Sequence, residues 1–169
     1  MTQSEFLNIV TPFKDKVYRL AKRLLVSNEE AEDATQEVLL KLWANKKKIE
    51  AYKNVEAFSM TMTKNLCFDK LKSKQAQNIK IVHSNYEDKK TSLQKQVETT
   101  DSLDWVNKII ETLPEQQRLV IQLRDIEQYD LDEICKMLDM KNTTVRVALS
   151  RARKTIREQL TNTHNYGIK

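Results

Sequence analysis

The chain is poor in the residues that build tight turns and cross-linked scaffolds. Its 169 residues include one glycine, two prolines and two cysteines, although an average glycine content of about 7% would supply roughly a dozen. Phosphate-binding loops, dinucleotide-binding fingerprints and tight β-hairpins need glycine for close backbone approach or positive φ. The scarcity of glycine therefore disfavours nucleotide-binding α/β folds and turn-rich β folds, and favours an all-α fold.

The two cysteines, Cys67 and Cys135, lie far apart in apolar-periodic stretches. This isolation indicates neither a disulfide framework nor a clustered metal site. We therefore expect no metal, no cofactor and a cytoplasmic location. No run approaches the roughly 18 apolar residues of a membrane span, and the first residues lack the pattern of a secretion signal. We expect no membrane span.

Positive charge is concentrated near the C-terminus. The formal net charge is only +5, from 29 basic and 24 acidic residues, and by itself is a weak sign of an anionic partner. Residues 141–157, however, contain six basic side chains and no acid, while residues 101–139 contain ten acids and four bases. This asymmetry indicates that one short segment near the C-terminus binds nucleic acid.

The N-terminal half has the periodicity of amphipathic helices. Apolar residues recur at three- and four-residue steps over residues 4–25, with a predicted break or kink at Pro12. Ser27, followed three residues later by a glutamate, forms a capping box that opens a second helix, and Asn54 caps a third. We expect these helices to form one small domain over residues 4–75.

A polar, aperiodic stretch over residues 76–101 follows and is predicted to be a flexible linker. Its roughly 26 residues would reach about 85 Å if fully extended, at about 3.3 Å per residue.

The C-terminal half, residues 102–162, has the pattern of a helix-turn-helix. Pro114 marks a helix start, and Asp130 with Glu133 forms a capping box for a short helix. Asn142 is predicted to cap a longer helix after a tight turn. The sequence therefore predicts an all-α protein of two small helical domains joined by a flexible linker, the C-terminal one a helix-turn-helix.

Three groups of side chains are candidates for binding. The long basic helix could read base edges and phosphates in a major groove, or could be a solvated basic face on a helix that only packs. On the second helix, Asp33 and Glu37 stand one turn apart, a repulsion of roughly 0.2–0.5 kcal/mol that a cationic partner would relieve unless Glu37 pairs with Lys41. Lysines at the end of the third helix could bind phosphates beside an aromatic ring, or could simply suit the helix C-terminus.

The order of four fragments is more specific than any one of them. AEDATQE, KNLCFDKLK, LPEQQR and TTVRVALSRARK occur in this order, and together they resemble the extracytoplasmic-function sigma factors of bacterial RNA polymerase, in the sigma-70 family. The resemblance covers residues 5 to 160 apart from the linker. It implies an alternative sigma factor, not an enzyme, that binds core RNA polymerase and directs promoter recognition and transcription initiation.

The resemblance also implies roles for individual residues, with sigma region 2 in the N-terminal domain and region 4 in the C-terminal one. Docking on core polymerase would use Asp33, Gln36, Glu37 and Leu40. Recognition and opening of the minus-ten element would use Phe58, Asn65, Asp69, Lys70 and Lys72. Reading of the duplex minus-thirty-five element would use Lys141, Thr143, Thr144, Arg146, Ser150 and Arg151, with Arg153 and Lys154 on the DNA backbone. An inhibitory anti-sigma protein is a further candidate partner.

The chain departs from the family pattern at several positions. Phe58 stands where the family often has Trp, Asp139 where the helix-turn-helix has Gly, and Ala148 where it has Arg. Aspartate tolerates a left-handed backbone better than most residues, so we expect Asp139 to preserve the turn. We expect Ala148 to remove a DNA contact and to alter the base preference.

Two other classes of function stay open from the residues alone. A freestanding helix-turn-helix regulator would bind duplex DNA, typically a palindrome, without polymerase. A helical metal hydrolase would have to use His83, His164 and the acids from Glu29 to Glu37, but these residues show no paired histidine and acid ligand spacing.

Overall fold

The computed structural model of the chain describes residues 1–78 and 102–167. Most of the predicted linker, residues 79–101, lies outside the described residues, as does His83. Within the two described ranges, every regular element is a helix. This confirms the predicted all-α fold.

The N-terminal half is built around one long helix. The elements are α1 (Gln3–Leu25), α2 (Asn28–Ala44), the short α3 (Lys46–Ile49) and α4 (Val55–Asn78). Helix α1 packs against both α2 and α4. Its buried side chains follow the predicted helical stripe, from Phe6 to Leu25.

The C-terminal half contains the predicted helix-turn-helix. Its elements are α5 (Ser102–Glu111), α6 (Glu115–Ile121), a π-helical segment (Gln122–Ile126), α7 (Leu131–Leu138) and α8 (Asn142–Gly167). Asp139 ends α7 in the left-handed region, with φ 51° and ψ 51°. The expectation that an aspartate preserves this turn is therefore confirmed.

The predicted helix caps are present at three helix starts. The Ser27 side chain accepts a hydrogen bond from the Glu30 backbone N–H, and Asn54 Oδ1 accepts one from the Ala57 N–H at 3.0 Å. The Glu133 carboxylate accepts a hydrogen bond from the Asp130 N–H at 3.0 Å. Each cap satisfies a backbone group that would otherwise have no partner in its helix.

Of the break or kink predicted at Pro12, the break is wrong, because α1 is a single helix that contains the proline. The neighbouring Thr11 hydroxyl donates to the Leu7 carbonyl oxygen at 2.5 Å. Val10 and Phe13, on either side of the proline, are both buried. A proline inside a helix costs about 3 kcal/mol, and apolar burial along both halves of α1 offsets that cost.

Other helix ends differ slightly from the sequence prediction. Helix α4 continues to Asn78, so residues 76–78, predicted as the start of the linker, are helical. Asn142 is the first residue of α8 rather than the cap before it. The π-helical turn after α6 was not predicted.

The two halves share one hydrophobic core. Helix α1 packs against α6 and the π-helical segment of the C-terminal half, and α4 packs against α7. The core joins Leu20 and Leu24 of α1 with Leu119 and Leu123. Helix α1 therefore contributes to both halves of the molecule.

Candidate protein and nucleic-acid interfaces

One face of α2 is exposed and carries three of its four predicted docking residues. Ala31, Ala34, Val38 and Leu42 are buried on the opposite face. Asp33, Gln36 and Leu40 are exposed, and Leu40 retains 67% of its accessible surface. Because the opposite face packs α2 against the rest of the protein, the exposed face is accessible to another molecule.

The fourth predicted docking residue, Glu37, is already paired within the chain. Its carboxylate oxygens lie 3.4 Å from Lys41 Nζ and 3.5 Å from Lys70 Nζ. The pairing with Lys41 is the alternative that the sequence left open. The second partner was not predicted, because Lys70 was assigned to DNA binding. Lys74 of α4 likewise pairs with Glu30 of α2.

The predicted minus-ten residues differ in exposure and in their contacts within the chain. Asn65, Asp69 and Lys72 are exposed along one side of α4. Phe58 is half-buried, and its ring stacks on Tyr52 with centroids 4.6 Å apart and planes at 27°. Tyr52 is itself an exposed aromatic residue that sequence reasoning missed, because it lies outside any periodic stretch.

The exposed face of α8 carries the predicted minus-thirty-five residues. All eight are exposed, namely Lys141, Thr143, Thr144, Arg146, Ser150, Arg151, Arg153 and Lys154. The opposite stripe of Val145, Leu149 and Ala152 is buried, as the periodicity predicts. Ala148 is also buried, at 7% exposure. It lies at the edge of the exposed face, where it lines a small pocket with Val147 and Arg151. The loss of a DNA contact at this position stays a prediction.

Arg153 is engaged by an acidic residue of its own domain. Its Nε lies 3.1 Å from Asp125 Oδ2, and its Nη2 lies 2.5 Å from Asp125 Oδ1. This hydrogen-bonded pair raises the pKa of the Arg153 guanidinium. Asp125 therefore neutralises a charge that sequence reasoning treated as free for phosphate.

A polar network that the sequence did not reveal joins the two halves. Arg19 of α1 donates from Nε and Nη2 to the two carboxylate oxygens of Glu127, at 2.6 and 2.9 Å. Gln122 Nε2 donates to the same carboxylate at 3.2 Å, and Arg23 Nε donates to Gln122 Oε1 at 2.9 Å. These residues link α1 to the π-helical segment and the loop after it.

A second polar contact joins α4 to the same loop. The Glu56 carboxylate accepts hydrogen bonds from Lys16 Nζ at 2.8 Å and from Tyr129 Oη at 2.6 Å. Burial raises the pKa of Glu56, but these two hydrogen bonds outweigh it and hold the pKa below its ordinary value. Thr61 of α4 also donates to the Met137 carbonyl oxygen at 3.1 Å.

A large groove separates α1 from α8. It encloses about 1800 Å³, and α5 and the π-helical segment complete its walls. Basic side chains from both sides line it: Arg19, Lys22 and Arg23 from α1, with Arg146, Arg153 and Arg157 from α8. Its apolar lining includes Val106, Ile110 and Leu149. The predicted minus-thirty-five residues are thus divided, since Thr143, Thr144 and Arg151 line a separate pocket.

Neither a metal site nor a membrane helix is found in the described part of the chain. The residues whose side chains the structure describes, 1–77 and 103–162, contain no group of three His, Cys, Asp or Glu side chains that could hold a metal ion. Across the same residues, no helix is long and apolar enough to cross a membrane.

Both halves of the chain match sequence models of known families. The model of sigma-70 region 2 matches residues 9–77, and the model of sigma-70 region 4 matches residues 103–156. The chain is 28% identical over 168 residues to the ECF RNA polymerase sigma factor SigW of Bacillus subtilis, covering 94% of this chain and 90% of that protein. It is 27% identical over 157 residues to the ECF RNA polymerase sigma factor SigE of Mycolicibacterium smegmatis, covering 90% of this chain and 60% of that protein.

Two solved structures have a similar fold. The sigma factor RpoE, solved in complex with the anti-sigma factor NepR from Bartonella quintana, has a TM-score of 0.73 at 19% identity, covering 93% of this chain and 97% of that one. CnrH, solved with the cytosolic domain of CnrY, has a TM-score of 0.66 at 15% identity, covering 95% and 90%. The chain belongs to the sigma-70 family and is an extracytoplasmic-function sigma factor, which directs transcription initiation.

Proposed function

We propose that this sigma factor acts by binding energy alone, through three exposed surfaces. The α2 face binds core RNA polymerase, the surface of α4 binds the minus-ten element, and α8 binds the minus-thirty-five element. In this scheme residues 4–75 are region 2, residues 76–101 the linker and residues 102–162 region 4. The chain itself catalyses no reaction and works in the cytoplasm.

Leu40 is the observation that best supports the polymerase surface. Because the Leu40 side chain is 67% exposed, most of its apolar surface stays in contact with water in the folded chain. Burial of this surface by a partner would therefore contribute favourably to the free energy of binding. Exposed Asp33 and Gln36 flank it on the same face. A central apolar side chain with a charged and polar rim is the usual anatomy of a protein interface. Glu37 would join this surface while keeping its pairs with Lys41 and Lys70.

Co-elution with bacterial core RNA polymerase on size exclusion tests this surface. Leu40→Asp is expected to abolish co-elution, because it places a charge at the centre of the interface. Leu7→Asp is the matched control, since Leu7 is a half-exposed leucine on α1, and it should co-elute like the wild type. Co-elution of Leu40→Asp at wild-type levels would contradict the proposed surface.

The α4 surface combines aromatic and basic groups in the way that single-stranded DNA requires. Unstacked bases bind by stacking on aromatic rings, and lysines follow the phosphates. The stacked rings of Tyr52 and Phe58 lie at the start of α4. Lys72 lies exposed towards its other end. We assign Phe58, Asn65, Asp69, Lys70 and Lys72 to the opened minus-ten element, and add Tyr52.

Regulation by an anti-sigma protein is part of the proposal. RpoE, whose fold is similar to that of this chain, was solved in complex with the anti-sigma factor NepR. The groove between α1 and α8 has apolar lining residues, and eight basic side chains line it against three acidic ones. Arg146 and Ser150, which we assign to DNA, line this groove. An acidic amphipathic segment that occupied the groove would therefore block duplex binding.

A further inference from the structure

An apolar side chain occupies the middle of the exposed face of α8. Val147 is 47% exposed. It lies one helical turn after Thr143 and one turn before Arg151, so the three side chains share a face. The buried stripe of Val145 and Ala152 lies on the other side of the helix. Val147 therefore contributes little to the core.

A small pocket adjoins Val147. Gln116 and Gln117 of α6 line it together with residues of α8. Ala148 forms part of its lining and is 7% exposed. Because residue 148 is an alanine, no long side chain fills this space.

The arrangement of groups around Val147 is specific. A single exposed valine needs no functional explanation. Here, however, hydrogen-bonding side chains surround an apolar pair, Val147 and Ala148. Thr144 and Arg151 supply donors beside the pair, on the face assigned to DNA. Among the base edges in the major groove, only thymine presents a methyl group next to an acceptor oxygen.

We propose that Val147 and Ala148 recognise one thymine of the duplex by its C5-methyl group. This assignment rests on the proposed function, in which α8 reads duplex DNA. The thymine methyl packs on the two apolar side chains, and O4 accepts a hydrogen bond from Thr144 or Arg151.

The test uses holoenzyme formed from the full chain and bacterial core RNA polymerase. A duplex with a randomised upstream element is first selected for binding to the wild-type holoenzyme. Each thymine of that element is then replaced singly by deoxyuridine, which removes only the methyl group. We expect one replacement to weaken wild-type binding about fourfold, the factor for one buried methyl-sized group. In the Val147→Ala holoenzyme, the same replacement should change the dissociation constant less than twofold, which corresponds to less than ~0.4 kcal/mol.

Val26→Ala is the matched control, because Val26 is also a valine with 47% exposure and lies outside the helix-turn-helix. It should retain the fourfold effect. Equal unfolding midpoints for the two variants will show that both fold. If the wild-type holoenzyme binds duplex DNA and no single deoxyuridine replacement weakens that binding, the thymine assignment is overturned and the proposed function is not. Unchanged sensitivity in Val147→Ala also overturns it. A holoenzyme that binds no duplex overturns the proposed function and this assignment together.

Discussion

Arg19 and Glu127 lie 108 residues apart in sequence and form a two-pronged ion pair across the two halves of the molecule. The Glu127 side chain is 2% exposed, whereas Arg19 remains half exposed. The carboxylate therefore depends on protein donors for its solvation. The hydrogen bond to Glu127 also raises the pKa of the Arg19 guanidinium.

Removal of the Arg19 side chain should destabilise the folded chain. Arg19→Ala removes two hydrogen bonds from the buried Glu127 carboxylate, which then keeps the one from Gln122 Nε2. We expect the free energy of unfolding to fall by about 1–3 kcal/mol. Urea denaturation measures this change. Arg157→Ala, at an exposed arginine of α8, should shift the free energy by less than about 0.5 kcal/mol. Equal midpoints for the two variants would contradict the prediction.

The contact at Glu56 should make stability sensitive to acid. Its pKa is lowered in the folded chain from an ordinary value of 4.5. Such a group stabilises the fold fully above its unfolded pKa, and this stabilisation is lost as pH falls through the folded pKa. The free energy of unfolding should therefore decrease as the pH is lowered below about 4.5. Glu56→Gln should weaken this dependence, whereas Glu32→Gln, at an exposed residue of α2, should not. An unchanged pH profile in Glu56→Gln would count against the contact.

Glu37 offers a test that separates docking from folding. Its pairs with Lys41 and Lys70 involve partly exposed side chains, and such pairs contribute about 0–1 kcal/mol. Glu37→Gln should therefore fold normally yet bind core polymerase more weakly. Lys41→Gln breaks one of the same pairs and serves as the control, with wild-type affinity expected. Equal losses in both variants would indicate a structural role for the pairs instead.

The basic residues of α8 should divide into two classes by their effect on DNA binding. Arg146 lies in the first turns of the helix, where side chains reach bases. Arg146→Ala should reduce the free energy of binding to preferred DNA sequences by about 1–3 kcal/mol. It should also relax the base preference at one position of the DNA element. Lys154→Gln should weaken binding equally on all duplexes. It should also reduce by about 1 the slope of the logarithm of the binding constant against the logarithm of the salt concentration. Titration of holoenzyme on specific and unrelated duplexes at several salt concentrations distinguishes the two. A uniform loss for Arg146→Ala would make it a phosphate contact.

The sequence predicted the features that short-range rules determine. The caps at Ser27 and Asn54 and the left-handed turn at Asp139 depend on neighbouring residues alone, and all three are present. The rule for Pro12 is equally local, and it failed because tertiary burial on both sides of the proline outweighs the local cost. Local sequence patterns predict helix ends and turns well when tertiary packing does not favour a different local structure.

The contacts between the halves had no signal in the sequence. Tyr129 and Glu56 are 73 residues apart, and nothing in their local patterns joins them. Within the C-terminal half, the pair of Asp125 and Arg153, 28 residues apart, likewise had no local signal. Val147 was visible as an apolar residue off the buried stripe. Only the structure shows its exposure and the pocket beside it.

Transcription by a reconstituted holoenzyme tests whether the chain directs core RNA polymerase to promoters. The purified chain and bacterial core RNA polymerase are mixed with duplex templates that carry randomised upstream sequence, and the 5′ ends of the RNA products are mapped. We expect defined start sites, each preceded by two shared sequence elements, only when both proteins are present. A folded chain that binds duplex DNA on its own but yields no defined starts with core polymerase would contradict this expectation, and would favour a freestanding regulator.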